Sequence, residues 1–410
     1  MRCRPAAPAA YVITPRMWTP AGSRVPIRND TCKRGSSQSC RRARSRKRRT
    51  RLAWTARNSD QVNPSPTPPK PHFTGHDRIS ERYKVWDGWI VVDVDASVVE
   101  SHSDKQGAAP TYKKHVYGLH PIVVSVANTS EILAVLLRDG NAGSNTVVDH
   151  VAVLTDAIAQ IPARYRKKIV FRADGAGATK ELLAWIKTEA AERGYTWHYS
   201  VGFDVTEGVR TAITTVPART WVPALTPEGE IRRGAHTTEI TGLLKLADGW
   251  PEQMRITART EPLHPRHRKQ ASEVEKRRGQ RFQAVATDLP GHHYPKLDAF
   301  HRNHAGVETV IKDAKNLGLK RLPSYYFAFN QAWCAAVTIA ADLLSWLRLL
   351  TLDHHPTLTK ATPDTLRRTL LDAPARLVHH ARRRLIRLPA DHPHHDDLTH
   401  AWQKIRALPT

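Results

Sequence analysis

Trp89-Ile90-Val91-Val92-Asp93-Val94-Asp95-Ala96-Ser97 has the β-branched content of a buried strand, yet it carries two carboxylates. Alternation along a strand places Asp93 and Asp95 on one face and Val92 and Val94 on the other. A carboxylate among valines is costly unless something positive compensates it. Two compensations are open for either acid: a divalent cation, which makes the strand a site of chemistry, or a Lys or Arg partner, which makes it a structural ion pair.

Downstream, strand signals recur at 116–127 and 131–137, and three strands in succession predict an antiparallel meander. After the turn Asp139-Gly140-Asn141-Ala142-Gly143, Thr146 and Asp149 read as a capping-box variant that opens a helix through about Ile161, with Val147, Val151, Leu154 and Ile158 on one face. Lys168–Ala173 is a strand ending at Asp174. Thr179–Arg193 is a helix with Leu182, Leu183 and Ile186 as its stripe, and Thr196–Val201 is a further strand. The order β-β-β-α-β-α-β is that of the ribonuclease-H-like fold.

Residues 204–292 break this alternation. Short β-like pieces at Thr211–Val216, Thr238–Leu246 and Arg281–Ala286 predict a mainly β insertion subdomain. From Leu297 the chain turns helical through Leu350. Residues 364–388 read as one or two short basic helices that bury Leu370, Leu371, Leu377, Leu385 and Ile386.

The chain is 410 residues long, 40% hydrophobic and 7% aromatic, enough for a sizeable core. Its net charge of +25 points to a polyanionic partner. Nucleic acid is favoured over a membrane because no apolar run approaches the roughly 20 residues needed to span one. The first 60 residues carry 16 Lys/Arg against Asp30 and Asp60, so +14 of that charge falls there. Residues 1–84 read as a basic, Pro/Ser-rich segment of low order, either a DNA-binding arm or a solvated tail. Cys3, Cys32, Cys40 and Cys334 form neither a CxxC pair nor a framework, which predicts a reducing cytoplasm and no structural zinc.

The expected organisation is thus α/β. It comprises the basic segment 1–84, a catalytic core in two parts (85–203 and 293–350), the β-rich insertion 204–292 between them, and a basic helical C-terminus 351–410.

Asp174 closes a strand and precedes a glycine turn into a helix, where open α/β sheets present ligand-binding groups. The Gly175-Ala176-Gly177 turn lacks a nucleotide-binding glycine pattern. Glu308 sits in a helical stretch whose spacing aligns His304, Glu308, Lys312 and Lys315 on one polar face, which taken alone is also the pattern of a solvated salt-bridged helix. Three acids with oxygen ligands suit two Mg²⁺ or Mn²⁺ ions about 3.5–4 Å apart acting on a phosphodiester. The pairs His354-His355 and His379-His380 and the run His392-Pro393-His394-His395 lack zinc-module spacing and read as surface histidines. Trp221 and Trp250 read as packing within the insertion rather than as platforms for a flipped base.

These stretches together resemble the DDE transposases of bacterial insertion sequences, in the group whose β-rich insertion separates the second aspartate from the glutamate. The resemblance runs from about Trp86 to Leu408. It is carried by Val92–Ser97, Gly118-Leu119-His120-Pro121, Gly140–Asn145, Arg172–Ala176, His304–Lys315 and Pro323–Trp333. The aspartates lie 79 residues apart, and 134 residues separate Asp174 from Glu308, room for the insertion.

The resemblance implies Asp95, Asp174 and Glu308 as catalytic and metal-binding acids, with Asp93 as the alternative first acid. It also implies Mg²⁺ as cofactor, with Mn²⁺ able to substitute. The final helix of related families carries Tyr, Arg, Glu and Lys. Here those places hold His301, His304, Glu308 and Lys315, so His301, His304, Lys312 and Lys315, with Arg302 substituting, are the implied DNA contacts. Implied partners are double-stranded DNA, as terminal inverted repeats and target, and a second copy in a synaptic homodimer. The implied setting is the bacterial cytoplasm, on the nucleoid when bound.

Family members usually begin with a helical end-binding region, and the atypical N-terminus here reads as a truncated or frame-disrupted copy. A DNA-binding relative that no longer cuts, and a metal-dependent nuclease without strand transfer, are the competing readings.

Overall fold

The computed structural model describes residues 88–407 except 114, 115, 145, 292, 381 and 382, so the basic segment expected over 1–84 lies outside the described residues. The decisive stretch forms β1 (Ile90–Ala96). A small three-stranded sheet follows, made of β2 (Val99–Glu100), β3 (Ala109–Pro110) and β4 (Tyr117–Leu119). The single strand expected over 116–127 is therefore divided at His120-Pro121, where a proline cannot donate to a ladder, and resumes as β5 (Ile122–Val126). β6 (Ile132–Leu136), α1 (Val147–Gln160), β7 (Lys168–Ala173), α2 (Lys180–Glu192) and β8 (Thr196–Phe203) complete the expected order.

In the main sheet these strands run β6-β5-β1-β7-β8. β5 lies antiparallel to β1, and β7 parallel to β1 and β8. That is the 3-2-1-4-5 arrangement of a ribonuclease-H-like core. Period-two alternation decides what each face of β1 meets. Ile90, Val92 and Val94 enter the core against Val153 and Leu154 of α1 and Leu183 and Ile186 of α2, while Val91 packs on the opposite face with Val170, Leu297 and Phe300. Thr179 caps α2 by accepting from the Leu182 amide at 3.3 Å. Thr146 makes no such bond at α1: its hydroxyl donates to the Gly143 carbonyl at 3.1 Å, while Asp149 meets the buried Arg138 guanidinium at 3.1 Å.

The insertion departs from expectation. It opens with α3 (Glu207–Thr215), so Thr211–Thr215 is helical rather than β. It then adds β9 (Val222–Leu225), β10 (Ile231–Glu239), β11 (Arg255–Pro262), the short α4 (Glu273–Arg278) and β12 (Gln280–Thr287). These strands do not form a sheet of their own. β12 pairs antiparallel with β8, and the main sheet continues β8-β12-β11-β10-β9 to nine strands.

The chain returns through α5 (Tyr294–Arg302), a tighter turn at Asn303–Ala305 and α6 (Gly306–Ala314). Val307, Val310, Ile311 and Ala314 of α6 pack with Val123, Leu119 and Val337. The last of these belongs to α7 (Phe327–Thr351). Contrary to expectation, α7 is long and apolar enough to cross a membrane by length and composition, and it packs into two of the apolar clusters through Cys334, Val337, Ala341 and Leu344.

Beyond it lie α8 (Pro363–Leu366), a hairpin of β13 (Arg376–His380) and β14 (Arg383–Arg387), and α9 (His395–Ala407). The short helices expected over 364–388 thus give way to a hairpin after residue 375. Leu371, Leu377, Leu385 and Ile386 are exposed, and of the five leucine and isoleucine positions expected inside only Leu370 is buried.

Gly118 and Gly140 bring three backbones into direct contact beside the end of β1. A Cβ on Gly140 would collide with the carbonyl oxygens of Gly118 and Ala109, whereas one on Gly143 meets nothing closer than Thr146 Oγ1 at 3.2 Å. Gly140→Ala is expected to cost about 1–3 kcal/mol in urea denaturation through overpacking, and Gly143→Ala clearly less; equal costs would show that the close approach is relaxed in solution.

Candidate active site

β1 and β7 run parallel, and each delivers an acid at its C-terminal end: Asp95 as the penultimate residue of β1, Asp174 immediately after β7. Asp174 is exposed, and its Oδ1 accepts from the Ala176 amide at 2.9 Å, which fixes the turn that follows. Glu308 projects from the first turn of α6, exposed, on the side opposite the valines that seat the helix. The three acids lie in one electrostatic neighbourhood. Burial pushes the Asp95 carboxyl up to about 6; His304 opposes that rise, while Asp174 and Glu308 reinforce it. Tyr112, an exposed tyrosine, also faces Asp95 and Asp174, and burial together with those two acids raises its hydroxyl.

Asp93, two residues away on the same face, is in a different state. Arg172 grips it through Nε at 2.7 Å to Oδ1 and Nη2 at 2.8 Å to Oδ2, and His304 Nδ1 lies 3.1 Å from Oδ1. Burial works against its charge, but Arg172 and His304 outweigh it and hold the carboxyl at about 2. Arg172 also donates through Nη1 to the Phe300 carbonyl at 2.8 Å, which joins β1, β7 and the end of α5. Of the two compensations open to the strand's acids, the ion pair is seen at Asp93, which has its arginine; Asp95 has no Lys or Arg ion-pair partner among the described residues.

Asp174 and Glu308 line a cleft of about 540 Å³ together with His304, Arg259, Arg281 and Arg302. Arg259 and Arg281 come from β11 and β12, so the inserted strands supply one wall. Asp204, exposed just past β8, lies on the same cleft and was invisible as a site residue because nothing local in the sequence marks it. Tyr112, Arg259 and Arg281 were missed for the same reason; sheet pairing brings the two arginines to the acids, and Tyr112 reaches them from the loop after β3.

The expected DNA contacts divide. Lys312 is exposed on α6. Lys315 Nζ is engaged with Ser97 Oγ at 2.6 Å and the Val98 carbonyl at 3.0 Å, tying the glutamate helix to the end of β1. Arg302 lines the cleft while donating to the Leu225 carbonyl at 2.7 Å. The two histidines are turned inward rather than lying on a solvated helix face. His304 is buried against Asp93, and its Nε2 is buried with no hydrogen-bond partner among the described residues. His301 lies 3.1 Å from Ser200 Oγ, and burial, then the neighbouring His304 and Arg172, push it down to about 3, so it is neutral at pH 7. A neutral imidazole is a poor phosphate clamp. The tight turn at Asn303–Ala305 changes the helical phase before Glu308, which is why simple spacing placed His304 on the solvent side.

A five-stranded core in 3-2-1-4-5 order, with acids at the ends of two parallel strands and a third on the returning helix, defines a ribonuclease-H-like protein with an acid-centred cleft. The family described as transposase DDE domain group 1 matches residues 70–410, and the chain belongs to that family, whose enzymes are of the polynucleotidyl-transferase type. Among solved structures it is similar to the cryo-EM structure of the piggyBac transposase synaptic complex with hairpin DNA. That similarity is at 9% identity with a TM-score of 0.36, covering 62% of this chain and 47% of that one, so the chain spans about half the length of that neighbour. No curated protein matches it.

Two stability measurements test the contrast between Asp93 and Asp95. Since burial and its neighbours raise Asp95 to about 6, its contribution to stability is fully present below its ordinary value of 3.8 and is lost as pH rises through 6. Asp95→Asn is therefore expected to stabilise the metal-free protein at about pH 7–8, by up to roughly 3 kcal/mol less what solvent screens, with the gain vanishing below about pH 4. A pH-independent difference would show that Asp95 is not strained by its neighbours. Arg172→Ala leaves the Asp93 charge buried and should cost about 3–5 kcal/mol in the same assay.

Proposed function

We propose that the protein is a DNA transposase that excises and inserts an insertion-sequence element by cleaving and rejoining phosphodiesters at terminal inverted repeats. The observation that carries this reading is the convergence of Asp95, Asp174 and Glu308, with Asp95 raised to about 6 by burial and by the other two acids, in a chain of the DDE family. An oxygen-only donor set of three carboxylates suits Mg²⁺, with Mn²⁺ as substitute. Asp95, Asp174 and Glu308 would hold the metal, Asp95 rather than Asp93 being the first acid because Asp93 is already paired. When bound, the divalent cation supplies activation of water or a 3′-hydroxyl and neutralises charge on the leaving oxygen.

The chain's own cations do the rest. Lys312, exposed on α6, and Arg281, on the insertion wall of the cleft, would contact DNA phosphates. Arg302 keeps a charged guanidinium at the cleft floor, although burial and then Arg259 bring it down to about 10. Lys315 orders the end of β1 through Ser97 and so positions Asp95. His304 positions Asp93 and the start of α6. Substrate DNA, as transposon ends and target, and a homodimeric synaptic complex belong to the same proposal, as does a bacterial cytoplasmic setting on the nucleoid.

Purified protein should cleave and join DNA carrying the ends that flank its own gene, with Mg²⁺ or Mn²⁺ required. Glu308→Gln is expected to lower both steps by roughly 100-fold or more, about 3 kcal/mol of transition-state stabilisation. Lys312→Ala should weaken binding about equally across sequences and reduce the salt slope by about 1. Cleavage without joining would make the protein a nuclease, and binding without cleavage a DNA-binding relative; either result overturns the proposal.

A further inference from the structure

The histidine pairs far from the cleft do not behave as scattered surface residues. Leu352 and Leu358, just beyond α7, share an apolar cluster with Leu398 of α9, and that packing brings two histidine-rich segments about forty residues apart into contact. Asp353, His354 and His355 follow the end of α7, while His394, Asp397 and His400 belong to the start of α9 and the residue before it. The His354 and His400 rings lie 4.1 Å apart between centroids.

Hydrogen bonding settles which nitrogens are free. His354 Nε2 lies 3.0 Å from Asp397 Oδ1; an ionised carboxylate only accepts, so that nitrogen carries the proton and Nδ1 keeps its lone pair. Nδ1 faces Asp353 Oδ1 at 3.9 Å, and His400 Nε2 faces the same oxygen at 4.0 Å. His400 Nε2 is buried and has no hydrogen-bond partner among the described residues. Lys404 Nζ, 3.6 Å from Asp353 Oδ2, engages the other carboxylate oxygen and leaves Oδ1 to this group. The three ligand atoms lie within 4.8 Å of one another. The neighbouring group of His355, His394 and Asp397 is equally compact but already spent. His355 Nδ1 accepts from the Leu358 amide at 3.2 Å, which puts the proton on its Nε2, and Asp397 accepts from His354 and His394.

The geometry points to a zinc site formed by Asp353 Oδ1, His354 Nδ1 and His400 Nε2, with Asp397 orienting His354 from behind and solvent at the fourth position. Two imidazoles and a carboxylate are a zinc-type donor set, and a carboxylate behind a ligating histidine fixes its tautomer. Ligands at 2.0–2.1 Å in a tetrahedron stand about 3.3 Å apart, so closure asks each group to move by about half an ångström. Asp353 and His354 are exposed, so surrounding packing does not wall either of them in. The site is separate from the acid cleft and clasps α9 to the end of α7. This inference is independent of the proposed transposase activity.

The test is Zn²⁺ binding by the metal-stripped full-length chain, followed by chelator competition and by the visible spectrum of the Co²⁺-substituted protein. One Zn²⁺ per chain is expected, held unchanged in an Asp95→Asn/Glu308→Gln variant and weakened at least about tenfold by His354→Ala and by His400→Ala. The Co²⁺ spectrum should be four-coordinate without a thiolate charge-transfer band. Asp397→Asn, which leaves all three ligands in place, should weaken binding about 10–100-fold and covers the case in which a histidine variant misfolds. Zn²⁺ binding that survives all three of these variants, that disappears with the cleft acids, or that shows a thiolate band would overturn the assignment, as would no binding at all.

Discussion

The pairing of Arg172 with Asp93 is the contact on which the arrangement of the cleft depends. It joins adjacent parallel strands at register partners, reaches the last turn of α5 through the Phe300 carbonyl, and takes up His304 at the turn into α6. An arginine and an aspartate with 0% and 2% side-chain exposure would be a liability if either lacked its partner. With both carboxylate oxygens and three guanidinium nitrogens engaged, the network instead ties together the elements that carry Asp95, Asp174 and Glu308. Asp95 follows Asp93 by two residues, Asp174 follows Arg172 by two, and Glu308 follows His304 by four. The lock and the site are thus one register apart on each element.

The insertion is bound into this frame rather than appended to it. β12 pairs with β8, so the antiparallel strands inherit the twist of the parallel core. Asp288, just past β12, accepts from the Tyr199 amide at 2.8 Å and from Lys187 Nζ at 2.6 Å, which pins the end of the insertion to β8 and α2. Arg259 on β11 meets Asp298 of α5 at 3.1 Å. A change in the insertion is therefore transmitted to the helix that leads to Glu308. The edge of β8, which would otherwise present unpaired backbone groups, is covered by the same device.

What could be read from the residues follows the range of the interactions. Period-two alternation placed Asp93 and Asp95 on one face, and the sequential β-β-β-α-β-α-β order emerged because each element there is bounded by local turn chemistry. The choice between the two aspartates could not be made from the strand itself, since Arg172 lies 79 residues further on. The phase error at His304 arose from one tight turn, and the misreading of Leu377, Leu385 and Ile386 from taking basic, leucine-containing sequence as amphipathic helix. The continuous nine-stranded sheet was hidden because strand pairing across an insertion leaves no mark within either strand. The histidine cluster was hidden for the same reason: its spacing in sequence is unlike a zinc module, and only the packing of Leu398 beside Leu352 and Leu358 assembles it.

Asp93 and Asp95 show how one strand can serve stability and chemistry at once. Both are removed from bulk water, which disfavours the charged form of each. For Asp93 the protein supplies a bidentate cation and a histidine, and the carboxyl falls to about 2; for Asp95 it supplies two more acids, and the carboxyl rises to about 6. A sequence selected only for folding would pair the second acid or replace it. The strain held at Asp95 is tolerated because the neighbouring lock is strong enough to keep the strands in register regardless, so the destabilised group sits where the frame is least able to yield.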